Sequence, residues 1–147
     1  MRMTSPELLG YSAPSVEKVV IAWLRPLGRT GTRRKAGDPV PFRLVHRVAG
    51  SDDPVVGIDV ASVSVHSFGV GDVEALAEAE KSHRRMNVLA CNPMTTIANS
   101  DILGAGVVVN VDYCIPRMAP TQVDYEDPAV VRYVARYEIG VSYTPVA

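Results

Sequence analysis

Between residues 131 and 143 the chain alternates without a break. Val131, Tyr133, Ala135, Tyr137, Ile139, Val141 and Tyr143 fall on one side, opposite Arg132, Val134, Arg136, Glu138 and Ser142. Successive side chains of a strand point to opposite faces, so a run of this length must be a strand with one face turned into a core. Such a strand cannot stand alone. It demands a sheet and an apolar layer packed against it.

Three further segments can supply the partners of that strand. Residues 105–115 place Val107, Val109, Val111, Tyr113 and Ile115 on one face. Residues 40–48 alternate Val40, Phe42, Leu44, His46 and Val48 with Pro41, Arg43, Val45 and Arg47. From 55 to about 66 the parity changes, with Val56, Ile58 and Val60 on one face and Val63 and Val65 on the other, which predicts a β-bulge near Ala61 and Ser62. Two helices are predicted. One starts at Pro14 or Ser15 and runs to Leu27, with Val16, Val20, Trp23 and Leu27 as its stripe. The other covers 73–91 behind Asp72 as N-cap, with Leu76, Ala79, His83, Met86 and Ala90 facing inward. The expected class is therefore α+β: a mostly antiparallel or mixed sheet of about four strands, two helices packed on one face, in the order αββαββ.

At 147 residues, 47% hydrophobic and 21% charged, the chain suits a single globular domain, expected over 14–143. Residues 1–13, without periodicity, are expected to form a flexible arm, and 144–147 a short tail. No apolar run approaches the ~18 residues of a membrane span, and the first residues lack a secretory h-region, so synthesis in the cytoplasm without membrane partners is expected. Cys91 and Cys114 are expected to be buried free thiols.

A net charge of −1 hides a zoned distribution. Residues 25–47 hold seven cations (Arg25, Arg29, Arg33, Arg34, Lys35, Arg43, Arg47) against Asp38, whereas 48–80 hold seven acids and neither Lys nor Arg. Zones of opposite sign suit steering of partners or head-to-tail contact between copies, although two solvated faces would read the same way. The loop 28–39, GRTGTRRKAGDP, is the most exposed segment by composition. Its cations could lie beside nucleic-acid phosphates, meet an acidic protein neighbour, or face water. No aromatic residue interleaves with them, which argues against a platform for stacking single strands.

Signatures of chemistry are missing. Gly28 to Lys35 lacks the spacing of a phosphate-binding loop and leads into a strand. Ser15 and Lys18 have S-x-x-K spacing without its companion motifs. His46, His66 and His83 have no metal-ligand spacing. Asp52-Asp53 and Glu126-Asp127 precede prolines, as turn residues do. A non-enzymatic chain without cofactor or metal is expected.

Four segments together resemble the tail terminator proteins of long-tailed, siphovirus-type phages of actinobacteria: PSVEKVVIAWLRPLG, PFRLVHRVAGSDDPVVGIDV, GDVEALAEAEKSHRRMNVLA and DYEDPAVVRYVARYEIGVSY. They carry a P-x-V-E-x-V-V phrase and an acidic-Pro turn before R-Y-x-A-R-Y, and span about residues 14–143. The resemblance implies a small subunit of a homo-oligomeric ring, generally hexameric, at the head-tail junction of the virion. Such a ring caps the finished tail tube of major tail protein and joins it to the head's connector or stopper, with DNA passing through it unread. Another connector or stopper protein, or a small nucleic-acid-binding domain, are the alternatives. Arg29, Arg33, Arg34, Lys35, Asp52, Asp53, Arg132, Arg136 and Glu138 are the candidate interface or channel-facing residues. The 28–39 loop and the VSYTPVA tail match no family pattern.

Overall fold

The computed structural model describes residues 10–145. Eight strands and two α-helices are present among them. The strands are β1 (Tyr11–Ser12), β2 (Thr30–Gly31), β3 (Phe42–Asp53), β4 (Ile58–Val70), β5 (Thr95–Ala98), β6 (Val108–Val123), β7 (Val130–Ser142) and β8 (Thr144–Pro145), and the helices are α1 (Val16–Leu24) and α2 (Gly71–Cys91). Six strands form one curled, half-barrel sheet in the order β2-β3-β4-β7-β6-β5, antiparallel except where β2 runs parallel to β3. β1 and β8 form a separate two-stranded ladder, so residues from the ends of the described chain meet there.

The expectation of about four strands in a balanced α+β order is overturned. Strand occupies 47% of the described residues and helix 24%. Three of the additional strands have two residues each and β5 has four, too short for any period to show. β6 continues past Pro116 and Pro120 to Val123, with register shifts after Val111, Pro116 and Met118 that break the alternation. Prolines and bulges of this kind are at home in a strand whose outer edge is unpaired.

Ser15 caps α1 by accepting from the Lys18 amide, and a 3₁₀ turn at Arg25–Leu27 ends it at Gly28. Both helices pack on one face of the sheet. Val16, Val19, Val20 and Leu24 of α1 and Met86 and Leu89 of α2 meet Val45, Val63, Val65, Val109, Val111, Tyr137, Ile139 and Val141 in a single core. The Trp23 indole donates to the Arg85 carbonyl at 2.9 Å, the Arg85 guanidinium returns a bond to the Trp23 carbonyl, and that guanidinium lies 4.2 Å over the indole ring.

Three further expectations are corrected: the place of the β-bulge, the inward stripe of α2 and the burial of Cys91. On β3 the core side is Arg43 and Val45, while Phe42, Leu44 and His46 take the other face. The Arg43 guanidinium is wholly buried, donating to Ser82 Oγ at 2.6 Å and to the Glu78 carbonyl at 3.2 Å, with the Glu78 carboxylate at 3.4 Å. The bulge lies on β3 between Arg47 and Ala49, across from Ser62 and Val63, and β4 runs through without one. On α2 the buried set is Ala75, Glu78, Ala79, Ser82, Met86 and Leu89, leaving Leu76 exposed. The small residues face inward because the helix start presses on Gly69: a Cβ there would lie 2.6 Å from the Ala75 nitrogen. Of the two free cysteines, Cys114 is buried and Cys91 is exposed at the end of α2.

Candidate functional site

The period-two geometry that sends odd-numbered residues of β4 and β7 into the core sends the even ones to the face without helices. Register places Ser62, Ser64, His66 and Phe68 of β4 directly beside Glu138, Arg136, Val134 and Arg132 of β7. β3 adds Phe42, Leu44 and His46 on one flank, and β6 adds Ile115, Met118, Thr121 and Val123 on the other. Arg132, Arg136 and Glu138, three of the sequence-derived candidates, thus share this face.

Around Arg132 the fold gathers residues that are far apart in sequence. Arg34, from the 28–39 loop, lies over the rings of Phe68 at 5.3 Å and Tyr125 at 5.9 Å. It donates to the Tyr125 hydroxyl at 3.0 Å and the Asp38 carbonyl at 2.8 Å. Arg132 lies 5.4 Å from the same Tyr125 ring and donates to the Asp124 carbonyl at 2.9 Å. Phe68 meets Tyr125 edge to face, and His66 stacks on Phe68. Each cation–π contact of this sort is worth about 0.5–2 kcal/mol depending on its desolvation. Arg34 Nε, Arg132 Nε and His66 Nδ1 are buried without a hydrogen-bond partner among the described residues. Burial, and then the charges of Arg132, His46 and Arg136, push His66 down to about 4. The imidazole is neutral at physiological pH, and the arginines carry the charge of this end.

Glu138, further along β7, accepts from the Tyr113 hydroxyl at 2.7 Å and pairs with Arg117 at 2.8 Å. The Arg117 and Tyr113 hydrogen bonds hold its carboxyl below the usual range. Burial and the bond to Glu138 push Tyr113 up to about 12. Arg136, between the two clusters, is exposed and makes no ion pair among the described residues.

The remaining candidates do not join this face as a set. Arg29, Arg33 and Lys35 are exposed. Asp52 and Asp53 sit at the tip of the β3–β4 hairpin. Asp52 accepts from the Tyr143 hydroxyl at 2.7 Å, and Asp53 Oδ1 accepts from the amides of Val55 at 3.0 Å and Val56 at 3.3 Å. The charge zones partly meet inside the chain. Arg43 reaches Glu78, and Arg47 grips Asp59 through two bonds of 2.6 and 2.8 Å. Phe68, Tyr125 and Arg117 carry no signal in the sequence, where His66 appears only as an unclustered histidine and Tyr113 only as a strand-face residue. The aromatics that the basic loop lacks in sequence reach Arg34 through the fold.

The best-formed crevice among the described residues, lined by Val65, Ser82, Pro120 and Tyr137, has no interior room for a water molecule. No helix of the described residues is long and apolar enough to cross a membrane. No protein-family model matches the sequence, and no curated protein is significantly similar to it.

Proposed function

We propose that this protein is a ring-forming structural subunit of a phage tail, a tail terminator that caps the finished tube and joins it to the head's connector. The sequence resemblance motivates the reading, and one structural observation carries it. Among the exposed apolar side chains, two pairs stand at opposite ends of β4 on unlike patches. At the β3–β4 tip, Val55 and Val56 are 53% and 54% exposed, and at the far end of β4, Val70 and Val73 are 61% and 86% exposed. The 13 residues of β4 separate them, roughly 40 Å at the rise of an extended strand. A head-to-tail ring joins two different surfaces of each subunit, so unlike patches at opposite ends suit it, whereas a two-fold dimer uses one patch twice.

The test is binding to purified tail tubes, followed by negative-stain imaging. A terminator decorates tube ends and stops their growth. Decoration along the tube wall, or no binding at saturating protein, overturns the assignment. Binding to isolated head connectors with no affinity for tubes identifies a connector or stopper protein in its place.

A further inference from the structure

Resting on the ring reading, we propose that the acidic β3–β4 tip of one copy docks on the arginine-bearing end of the open sheet face of the next copy. On β4 the tip and that end are marked by residues paired across the sheet: Asp52 stands opposite Asp59, and Arg132 stands opposite Phe68. Nine residue steps along β4 separate these marks, roughly 30 Å. Charges so far apart are screened from each other by several Debye lengths at physiological salt, so the tip cannot neutralise the arginines of its own chain.

The two ends are complementary in charge and in apolar surface. Arg34 and Arg132 flank Tyr125, Arg136 follows on the same face of β7, and none of the three makes an ion pair among the described residues. Two guanidinium groups on one ring repel each other, and a carboxylate from outside relieves that repulsion. The tip carries two carboxylates, each with one oxygen engaged and one oxygen unbonded among the described residues. Val55 and Val56 accompany the acids, and exposed Val70 follows Phe68 by two positions on the same face of β4, so docking covers apolar surface on both sides. A cationic end receiving an acidic tip is a heterologous contact, and its repetition continues from copy to copy until the rotation closes.

Mixing two defective chains tests this. The tip variant is Asp52→Lys with Asp53→Asn, the Asn keeping the acceptor that the turn uses. The face variant is Arg132→Glu with Arg136→Glu. Circular dichroism checks that each is folded, and Arg136→Glu alone, at an exposed position, replaces the double variant if the latter is not. The expected result is that the natural chain assembles, each variant alone is monomeric, and an equimolar mixture gives a one-to-one heterodimer in which one intact tip meets one intact face. Variants that assemble as the natural chain does, or a mixture that stays monomeric, overturn the docking while the ring stands. A natural chain that is itself monomeric at high concentration overturns the ring reading, and the docking with it.

Discussion

Arg43 shows how far a single residue can depart from its sequence reading. In a strand that alternates Phe42, Leu44 and His46 with Arg43 and Val45, the arginine is naturally assigned to water, yet it is wholly buried. The decisive partners, Ser82 and Glu78, lie on α2, about forty positions away, and no local period announces them. Burial alone would raise the Glu78 carboxyl, but the Lys81 bond and the Arg43 charge override it and hold it below the usual range. Arg43→Ala takes the buried donor from Glu78 and Ser82, leaving Glu78 to Lys81 alone, and empties the space of the side chain, and should cost about 3–5 kcal/mol in urea unfolding. Arg43→Met, which keeps the stem, should cost less. Equal losses for the two would assign the whole cost to the guanidinium contacts, and an Arg43→Met loss no larger than that of an exposed substitution would contradict the buried pair.

His66 gives a pH prediction at the same scale. The folded protein keeps this imidazole neutral down to about pH 4, whereas the unfolded chain takes up its proton near the ordinary value of 6.5. The unfolded state therefore binds more protons in that window. The stability His66 contributes is whole above pH 6.5 and is lost as the pH falls toward 4. Urea midpoints should fall over this range in the natural protein, and less steeply in His66→Gln. Parallel curves would contradict the shift.

At the scale of elements, regular strands were readable and their irregularities were misplaced. β7 presents the odd-numbered core face that its alternation requires. β4 turns half-buried Ile58 and Val60 to the face without helices and buried Val63 and Val65 to the core, and this mixed pattern imitates the parity change of a bulge. The bulge belongs to β3, where Val48 is the extra residue. The expected inward stripe of α2, Leu76, Ala79, His83, Met86 and Ala90, holds at Ala79 and Met86, while close approach to β4 puts Ala75 in place of Leu76 at the helix start. Gly69→Ala tests that approach, because its Cβ would fall 2.6 and 2.7 Å from backbone atoms of Ala75. A loss of about 1–3 kcal/mol in stability is expected, as for an overpacked core. An unchanged unfolding midpoint would show that the strand and helix are not in contact as described.

For the whole molecule, the charge zones were legible but their use was not. Arg43 and Arg47 are spent on acids of the same chain, while Asp52 and Asp53 at one end, and Arg132 and Arg136 towards the other, stay exposed or only partly engaged. The arginine cluster on Tyr125 could not be read in advance, since its members come from residues 34, 68, 125 and 132 and meet only through the sheet register. If these ends serve assembly, association must weaken as salt rises, because exposed charges carry part of it. Sedimentation at increasing salt checks this, and assembly unaffected by salt would leave only the apolar patches to hold it.

As proposed, the protein works by closing into a ring of its own copies. Light scattering on the eluting protein over a wide concentration range measures this directly. The expected mass is one discrete multiple of the 15.8 kDa chain, six-fold for a hexamer, that does not grow further with concentration. A mass of one chain at every concentration, or an open series that keeps lengthening, would contradict it.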